Sequence, residues 1–127
     1  MNFTGFFRDT KATTAVEFGI TAPVFVMVIF GVLECGTLLW TKLGLQHGAQ
    51  MAARCASINP GVCASSDNIK AYAVQQAYGL TLPSSAFTAS TASCGKQVNA
   101  SYTHQFVSAH LFGGPSVTLT AHSCFPT

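Results

Sequence analysis

Cysteine is the residue type with the most evident chemistry in this sequence, since five thiols occur in 127 residues. Four of them, Cys55, Cys63, Cys94 and Cys124, follow a long apolar run near the N-terminus. Thiols at these positions could bind a metal ion or form disulfides, but the sequence contains no C-x-x-C and no H-x-x-x-H pair. The pattern therefore predicts disulfides, an oxidising compartment and no metal site.

The pairing of these four cysteines is left open by the sequence, because four thiols allow three connectivities. We favour Cys55 with Cys63, which would clamp the turn at Asn59-Pro60-Gly61. We also favour Cys94 with Cys124, which would join the start of one predicted strand to the end of another. Such bonds contribute roughly 2 to 4 kcal/mol each, which matters in a small domain with a thin core.

Carboxylates are too few after the apolar run to support hydrolytic catalysis. Beyond Lys42 the only one is Asp67, which is better explained at a helix N-terminus than as a member of a catalytic triad. A two-carboxylate mechanism cannot be built there, and no glycine-rich phosphate-binding loop occurs. The net charge of +2 is too small and dispersed for nucleic-acid binding. We predict no enzymatic activity, no cofactor, no small-molecule substrate and no nucleic-acid partner.

Two other carboxylates, Glu17 and Glu34, frame the apolar run itself. They are 17 residues apart. That separation is about 25 Å along a helix, close to the roughly 30 Å thickness of a hydrocarbon core. Both side chains can therefore lie near the two faces of a bilayer. The run from Glu17 to Trp40 is predicted to span a membrane, and Cys35 within it is expected to be a packing residue.

One long helix is predicted to carry this run, from residue 13 to residue 57, with its membrane-spanning part at about 17–40. Pro23 is expected to kink or loosen the helix within the membrane. The helix should stop before Asn59-Pro60-Gly61, because the residue preceding a proline avoids the helical conformation. Residues 1–12 are expected to form a cytoplasmic leader, and the cysteines place the C-terminal part outside.

The remaining residues, 58–127, are predicted to form a small periplasmic or extracellular domain. A second helix is expected at 67–78, with Ser65 or Ser66 as its N-cap and Gly79 as its stop.

Two runs that alternate apolar and polar residues predict strands at 97–106 and 116–125. Residues 83–93 are rich in Ser, Thr and Ala and are expected to form an extended loop. His104 and His122 are expected to face each other across the strand pair. The predicted fold class is therefore α+β: a long N-terminal transmembrane helix continues into a small disulfide-stapled domain. That domain contains one further helix and an antiparallel strand pair or small sheet.

The first half of the chain resembles the TadE-like proteins of the tight-adherence (Flp-type) pilus system of bacteria. The resemblance rests on a glutamate in a short apolar context, a proline six residues later, a second glutamate among glycines, and a run of small residues. These features are Ala15-Val16-Glu17-Phe18, Pro23, Phe30-Gly31, Glu34 with Gly36, and residues 49–56 with Ala52-Ala53-Arg54.

The resemblance implies a minor pilin or pseudopilin of the bacterial inner membrane. Its single helix would span the membrane, its C-terminal domain would be periplasmic, and it could enter the extracellular pilus. The implied partners are other pilin subunits, the pilus assembly platform and a prepilin peptidase. Cleavage would fall between Ala12 and Thr13, so that Glu17 becomes the fifth residue of the mature chain. The residue before the cut is usually glycine in this family, whereas here it is Ala12.

Glu17 is the residue with the clearest assembly chemistry. After cleavage, the new ammonium group of Thr13 would lie about one helical turn away, or on a neighbouring subunit, and could pair with the carboxylate. The other interpretation is that Glu17 only marks the membrane interface. Glu34 is equally open between an interfacial residue and a contact with a partner helix. Phe18, Pro23 and Gly31 complete the residues implied in helix packing.

A second hypothesis, from a different functional class, is a signal-anchored periplasmic binding module without a role in a pilus. Such a module would hold its ligand with exposed aromatic residues, for which Tyr72, Tyr78, Tyr102 and Phe106 are candidates.

Overall fold

The computed structural model describes the backbone of residues 10–127 and the side chains of residues 13–110 and 113–127. In chain order the helices and strands are α1 (Thr10–Ile58), α2 (Ser66–Gln75), β1 (Phe87–Ala92), β2 (Gly95–Gln105), α3 (Val107–Phe112) and β3 (Ser116–Phe125). The chain divides into two compact units, one ending at Gly36 and the other covering Thr37–Thr127. This content confirms the α+β class.

The long predicted helix is present as α1, which starts three residues before the predicted Thr13 and ends one residue after Ser57. It passes through Pro23 without interruption. Since proline has no N–H, the carbonyl of Gly19 has no helical donor at that point. At the other end the N–H of Asn59 still donates to the carbonyl of Cys55 at 2.9 Å. Pro60 follows and cannot continue the pattern.

From Thr37 onward α1 buries one face in the second unit. The buried residues are mostly small and recur at three- and four-residue spacing: Thr41, Gly44, Leu45, Gly48, Ala49, Ala52, Ala53 and Ala56. A Cβ atom added to Gly48 would lie 2.7 Å from the carbonyl oxygen of Ala73, and one added to Gly44 would lie 2.9 Å from that of Ala77. These two glycines therefore let the end of α2 approach the backbone of α1 directly.

Helix α2 begins where the sequence predicts a cap. The hydroxyl of Ser65 accepts a hydrogen bond from the N–H of Asn68 at 3.2 Å, as an N-cap serine does. The helix ends at Gln75, three residues before the predicted Tyr78. Tyr78 and Gly79 have φ angles of 53° and 73°, a left-handed conformation that cannot continue a right-handed helix.

The three strands form one antiparallel sheet in the order β1-β2-β3. Its inner face brings Phe87, Ala100 and Ala121 side by side in register. Phe87, Val98 and Leu45 of α1 are the largest fully buried side chains. Each contributes about 1.5 to 3 kcal/mol through burial. The core therefore lies between the sheet and the two helices α1 and α2.

Strand β1 corrects the sequence prediction of a loop at 83–93. Only the 3₁₀ turn Ser84–Ala86 and the residues flanking it resemble that expectation, because Phe87–Ala92 pairs with β2 along its whole length. The Ser, Thr and Ala composition gives a weak strand signal, and the pairing with β2 decides the conformation. The other two strands agree closely with prediction: β2 covers Gly95–Gln105, against 97–106, and β3 covers 116–125 as predicted.

Helix α3 is a second addition, inserted between β2 and β3 where the sequence indicated only a connection. It ends at Phe112 and is capped by Gly113, which has a φ of 66° and donates its N–H to the carbonyl of Ala109 at 2.9 Å.

The expected contact between His104 and His122 is wrong. In the observed register His104 lies opposite Val117, and His122 lies opposite Asn99. Positions 99 and 104 are separated by an odd number of residues, so the two histidines lie on opposite faces of the sheet. The ring of His104 instead meets that of Phe106 edge to face, with centroids 5.5 Å apart.

Two disulfides close the second unit, and they join the same two pairs that the sequence favoured. Cys55 and Cys63 hold the turn after α1, with their Cα atoms 5.9 Å apart. Cys94 and Cys124 join the β1–β2 turn to the end of β3, with a Cα separation of 6.2 Å. Cys35 is a free, exposed thiol.

Candidate assembly surface

The apolar stretch of α1 before Thr37 has no protein cover from the residues that the structure describes. Its Leu, Ile, Val, Phe and Met side chains are exposed around the helix: Val16, Phe18, Ile20, Val24, Phe25, Val26, Met27, Val28, Ile29, Phe30, Val32 and Leu33. The helix is long and apolar enough to cross a membrane, and its most apolar window is not buried in the protein. A stretch of this length and composition is suited to cover by lipid or by the helices of other proteins.

Glu17 lies among these apolar residues with an exposed side chain. Its carbonyl accepts a hydrogen bond from the hydroxyl of Thr21 at 2.7 Å, one turn later. Within residues 13–110 and 113–127 no ion pair involves Glu17. A carboxylate in an apolar stretch needs a polar partner or the membrane surface, because burying an unpaired charge is costly.

The predicted packing residues do not all lie on one side of α1. At about 100° per residue, Glu17, Gly31 and Glu34 fall within one arc of about 100°. Pro23 lies at the edge of this side, about 20° beyond Glu34, and Phe18 lies on the nearly opposite side. A Cβ atom added to Gly31 would meet nothing within 4 Å, so the glycine leaves a shallow site for close approach of another helix. The candidate assembly surface is therefore the side that carries Glu17, Gly31 and Glu34.

Glu34 is half-buried, in contrast to the exposed Glu17. The two carboxylates thus occupy different environments, although the sequence gives them symmetric positions around the apolar run.

An aromatic cluster that the sequence did not predict lies at the start of the second unit. Tyr78 stacks on the ring of His47 with centroids 4.4 Å apart, and its centroid is 6.0 Å from that of Trp40. The imidazole Nδ1 of His47 lies 2.7 Å from the carbonyl oxygen of Gln76 and donates to it. The spacing of Trp40 and His47, two helical turns apart, is the only sequence signal that could have indicated this cluster.

The aromatic residues proposed for a binding module do not form one exposed site. Tyr72 and Tyr102 are half-buried and pack against the core. Phe106 is half-buried beside His104, and of the four only Tyr78 is exposed. No observation therefore favours a ligand site built from these rings.

Metal chemistry also finds no support in the described part of the chain. Among those residues no group of three His, Cys, Asp or Glu side chains is close enough to hold a metal ion. Four of the thiols are consumed by the two disulfides.

Comparison with known proteins gives one finding, on α1. Residues 12–54 match the family model described as TadE-like protein. The resemblance seen in the sequence is therefore confirmed over this segment, which includes Glu17, Pro23, Gly31 and Glu34, and the family is not a known enzyme family. Searches of curated proteins and of solved structures gave no match.

Proposed function

We propose that this chain, with its TadE-like segment, is a minor pilin or pseudopilin of a tight-adherence (Flp-type) pilus. The observation that carries the proposal is the coincidence of two features on α1. The family match covers 12–54, and the apolar stretch within it is exposed on all sides. A helix of this kind is suited to two successive environments: lipid before assembly and neighbouring pilin helices after it.

The proposed precursor is cut by a prepilin peptidase between Ala12 and Thr13, which removes residues 1–12. The side chain of Ala12 lies outside the described residues, so the support here is the sequence position of Glu17 and the family match. Cleavage creates an ammonium group on Thr13, one turn from Glu17 or on an adjacent subunit. Pairing between subunits would fix the axial register of adjacent α1 helices.

The proposed location is the bacterial inner membrane, with a single pass and the domain after residue 57 in the periplasm. Two disulfides support an oxidising compartment for this part of the chain. The cytoplasm keeps thiols reduced, so in the opposite orientation the four cysteines of the two disulfides would remain free thiols. The assembly platform and the other pilin subunits would meet α1 through the side that carries Glu17, Gly31 and Glu34.

Deletion of the coding sequence from the bacterium that encodes it tests this function. We expect the deletion strain to lose surface pili, because the subunit primes or caps the filament. Expression of the intact chain should restore them. Pili would be counted by electron microscopy and by the pilin content of sheared cell-surface fractions. A deletion strain with a normal number of pili would contradict the proposal and favour the binding module.

A further inference from the structure

The exposed side of α1 changes from apolar to polar at a defined point in the second unit. Leu39 and Leu43 are exposed on it, whereas the residues that follow on the same side are Gln46, Gln50 and Arg54. Exposed leucines indicate lipid, and exposed amide and guanidinium groups indicate water. In a chain anchored by α1, the boundary between bilayer and water therefore lies near Leu43.

Tyr78 brings the turn after α2 to the level of this boundary. Its ring lies between Trp40 and His47, with 51% of its surface exposed, and Trp40 is 55% exposed. Tyr78 adopts a φ of 53°, which is unfavourable for a bulky residue. This conformation directs the ring back onto α1. Tryptophan and tyrosine are the residues enriched at membrane–water interfaces, where an apolar ring and a polar tip are both satisfied.

Strand β3 runs alongside α1 in the same direction. Lys42 donates through Nζ to the carbonyl of Thr120, and the hydroxyl of Ser57 donates to the carbonyl of Pro126 at 2.5 Å. The distance along the strand from Thr120 to Pro126 is about 20 Å, and the distance along the helix from Lys42 to Ser57 is about 22 Å. The two elements therefore run parallel over a similar length.

This parallel course places the α3 end of the sheet beyond Lys42. Strand β3 begins at Ser116, which lies about 13 Å before Thr120 along the strand. The residues next to that end therefore project past Lys42 toward the bilayer side of the boundary. Among them Val107 is 59% exposed, and Val117 is also exposed.

The sheet residues at this end carry no formal charge, and the ammonium group of Lys42, which donates to Thr120, lies at the boundary itself. From Gln97 to Thr127 the sequence contains no Asp, Glu, Lys or Arg. Entry of this part into a lipid interface therefore requires no desolvation of an ionised carboxylate, ammonium or guanidinium group.

We propose that Trp40, Tyr78, Val107 and Val117 form a membrane-docking end, which inserts into the interface of the leaflet from which the second unit emerges. The occupant is the phospholipid bilayer, and the surface is continuous along the chain with the membrane-spanning stretch of α1. Interfacial elements of this kind enter the headgroup and acyl boundary by about 5 to 10 Å. The inference rests on the membrane anchoring in the proposed function and is independent of any role in a pilus.

Fluorescence quenching by brominated lipids tests the docking. Trp40 is the only tryptophan, so the variant Trp40→Phe gives a background free of tryptophan. In that background Val107→Trp and Val117→Trp each place a reporter on the membrane-docking end. The full chain would be reconstituted in phosphatidylcholine vesicles brominated at acyl carbons 6 and 7. We expect emission from both reporters to fall by about half relative to unbrominated vesicles, as for groups at interfacial depth.

Val62→Trp in the same background is the matched control, because Val62 lies after the far end of α1 and its exposure, 53%, is close to the 59% of Val107. Its emission should not respond to bromine. Equal responses of the reporters at positions 107, 117 and 62 would overturn the proposal. Blue-shifted emission at 107 without quenching would overturn it too, since a second protein chain, rather than lipid, would then cover this end. Docking is judged from quenching alone. Piliation of these variants is a separate measurement, so its result does not change the conclusion about docking.

Discussion

Replacement of Glu17 by alanine is expected to abolish piliation while leaving the chain in the membrane. Alanine makes the apolar stretch of α1 more apolar, so insertion should be unaffected. Assembly should fail because the ammonium group of a cleaved Thr13 would lose its partner in an apolar environment. Removing one partner of a buried ion pair costs about 3 to 5 kcal/mol, which lowers association by a factor on the order of 100 or more. The measurement is the number of pili per cell in the deletion strain complemented with each variant.

Three matched variants identify the cause of the loss. Glu17→Gln keeps the size and hydrogen-bonding capacity of the side chain but removes its charge, so it should fail like Glu17→Ala. Val16→Ala shortens the neighbouring exposed residue and should restore pili. Glu34→Ala should have a smaller effect than Glu17→Ala, because Glu34 is half-buried and distant from the new N-terminus. Normal piliation by Glu17→Ala would reduce Glu17 to a marker of the membrane interface.

Removal of the Cys94–Cys124 disulfide is expected to unfold the second unit at growth temperature. The two cysteines are 30 residues apart, against 8 for Cys55 and Cys63. In the chain-entropy model these loops correspond to about 3.5 and 2.5 kcal/mol, respectively. The larger loss is a substantial share of the roughly 5 to 15 kcal/mol that stabilises a domain. Thermal unfolding of the full chain in detergent, followed by near-ultraviolet circular dichroism, would measure it.

The double variants Cys94→Ser/Cys124→Ser and Cys55→Ser/Cys63→Ser should be compared directly. We expect the first to lower the melting temperature more than the second, and Cys35→Ser to leave it unchanged. Alkylation of the unmodified chain without reductant should label at most Cys35. Labelling of all five cysteines would remove the periplasmic assignment, and equal losses in the two double variants would contradict the role given to loop length.

Helix α1 was predictable because its signals are local. The apolar run, the framing glutamates and the stop at Asn59-Pro60-Gly61 each act through residues that are close in sequence. The observed start of α1 lies within three residues of the predicted one. A cap at Ser65 or Ser66, of which the structure has Ser65, and the strand at 116–125 were predictable for the same reason.

The remaining differences depend on contacts between distant parts of the chain. Strand β1 has a weak intrinsic signal and exists because Phe87 enters the core and the strand pairs with β2. The end of α2 depends on the left-handed conformation of Tyr78, which stacks against α1. The close approach at Gly44 and Gly48 likewise requires the carbonyls of α2. The first two pairings leave no periodic trace in the sequence, whereas Gly44 and Gly48 have the four-residue spacing of small residues at a helix contact.

Cleavage between Ala12 and Thr13 is tested by the intact mass of the chain purified from the membranes of its own bacterium. Processing as a pilin predicts the loss of residues 1–12, giving a mature chain of 115 residues that starts at Thr13 and has Glu17 as its fifth residue. A chain that retains its leader would contradict processing as a pilin and favour a signal-anchored module. A chain that starts beyond Trp40 would contradict membrane anchoring altogether.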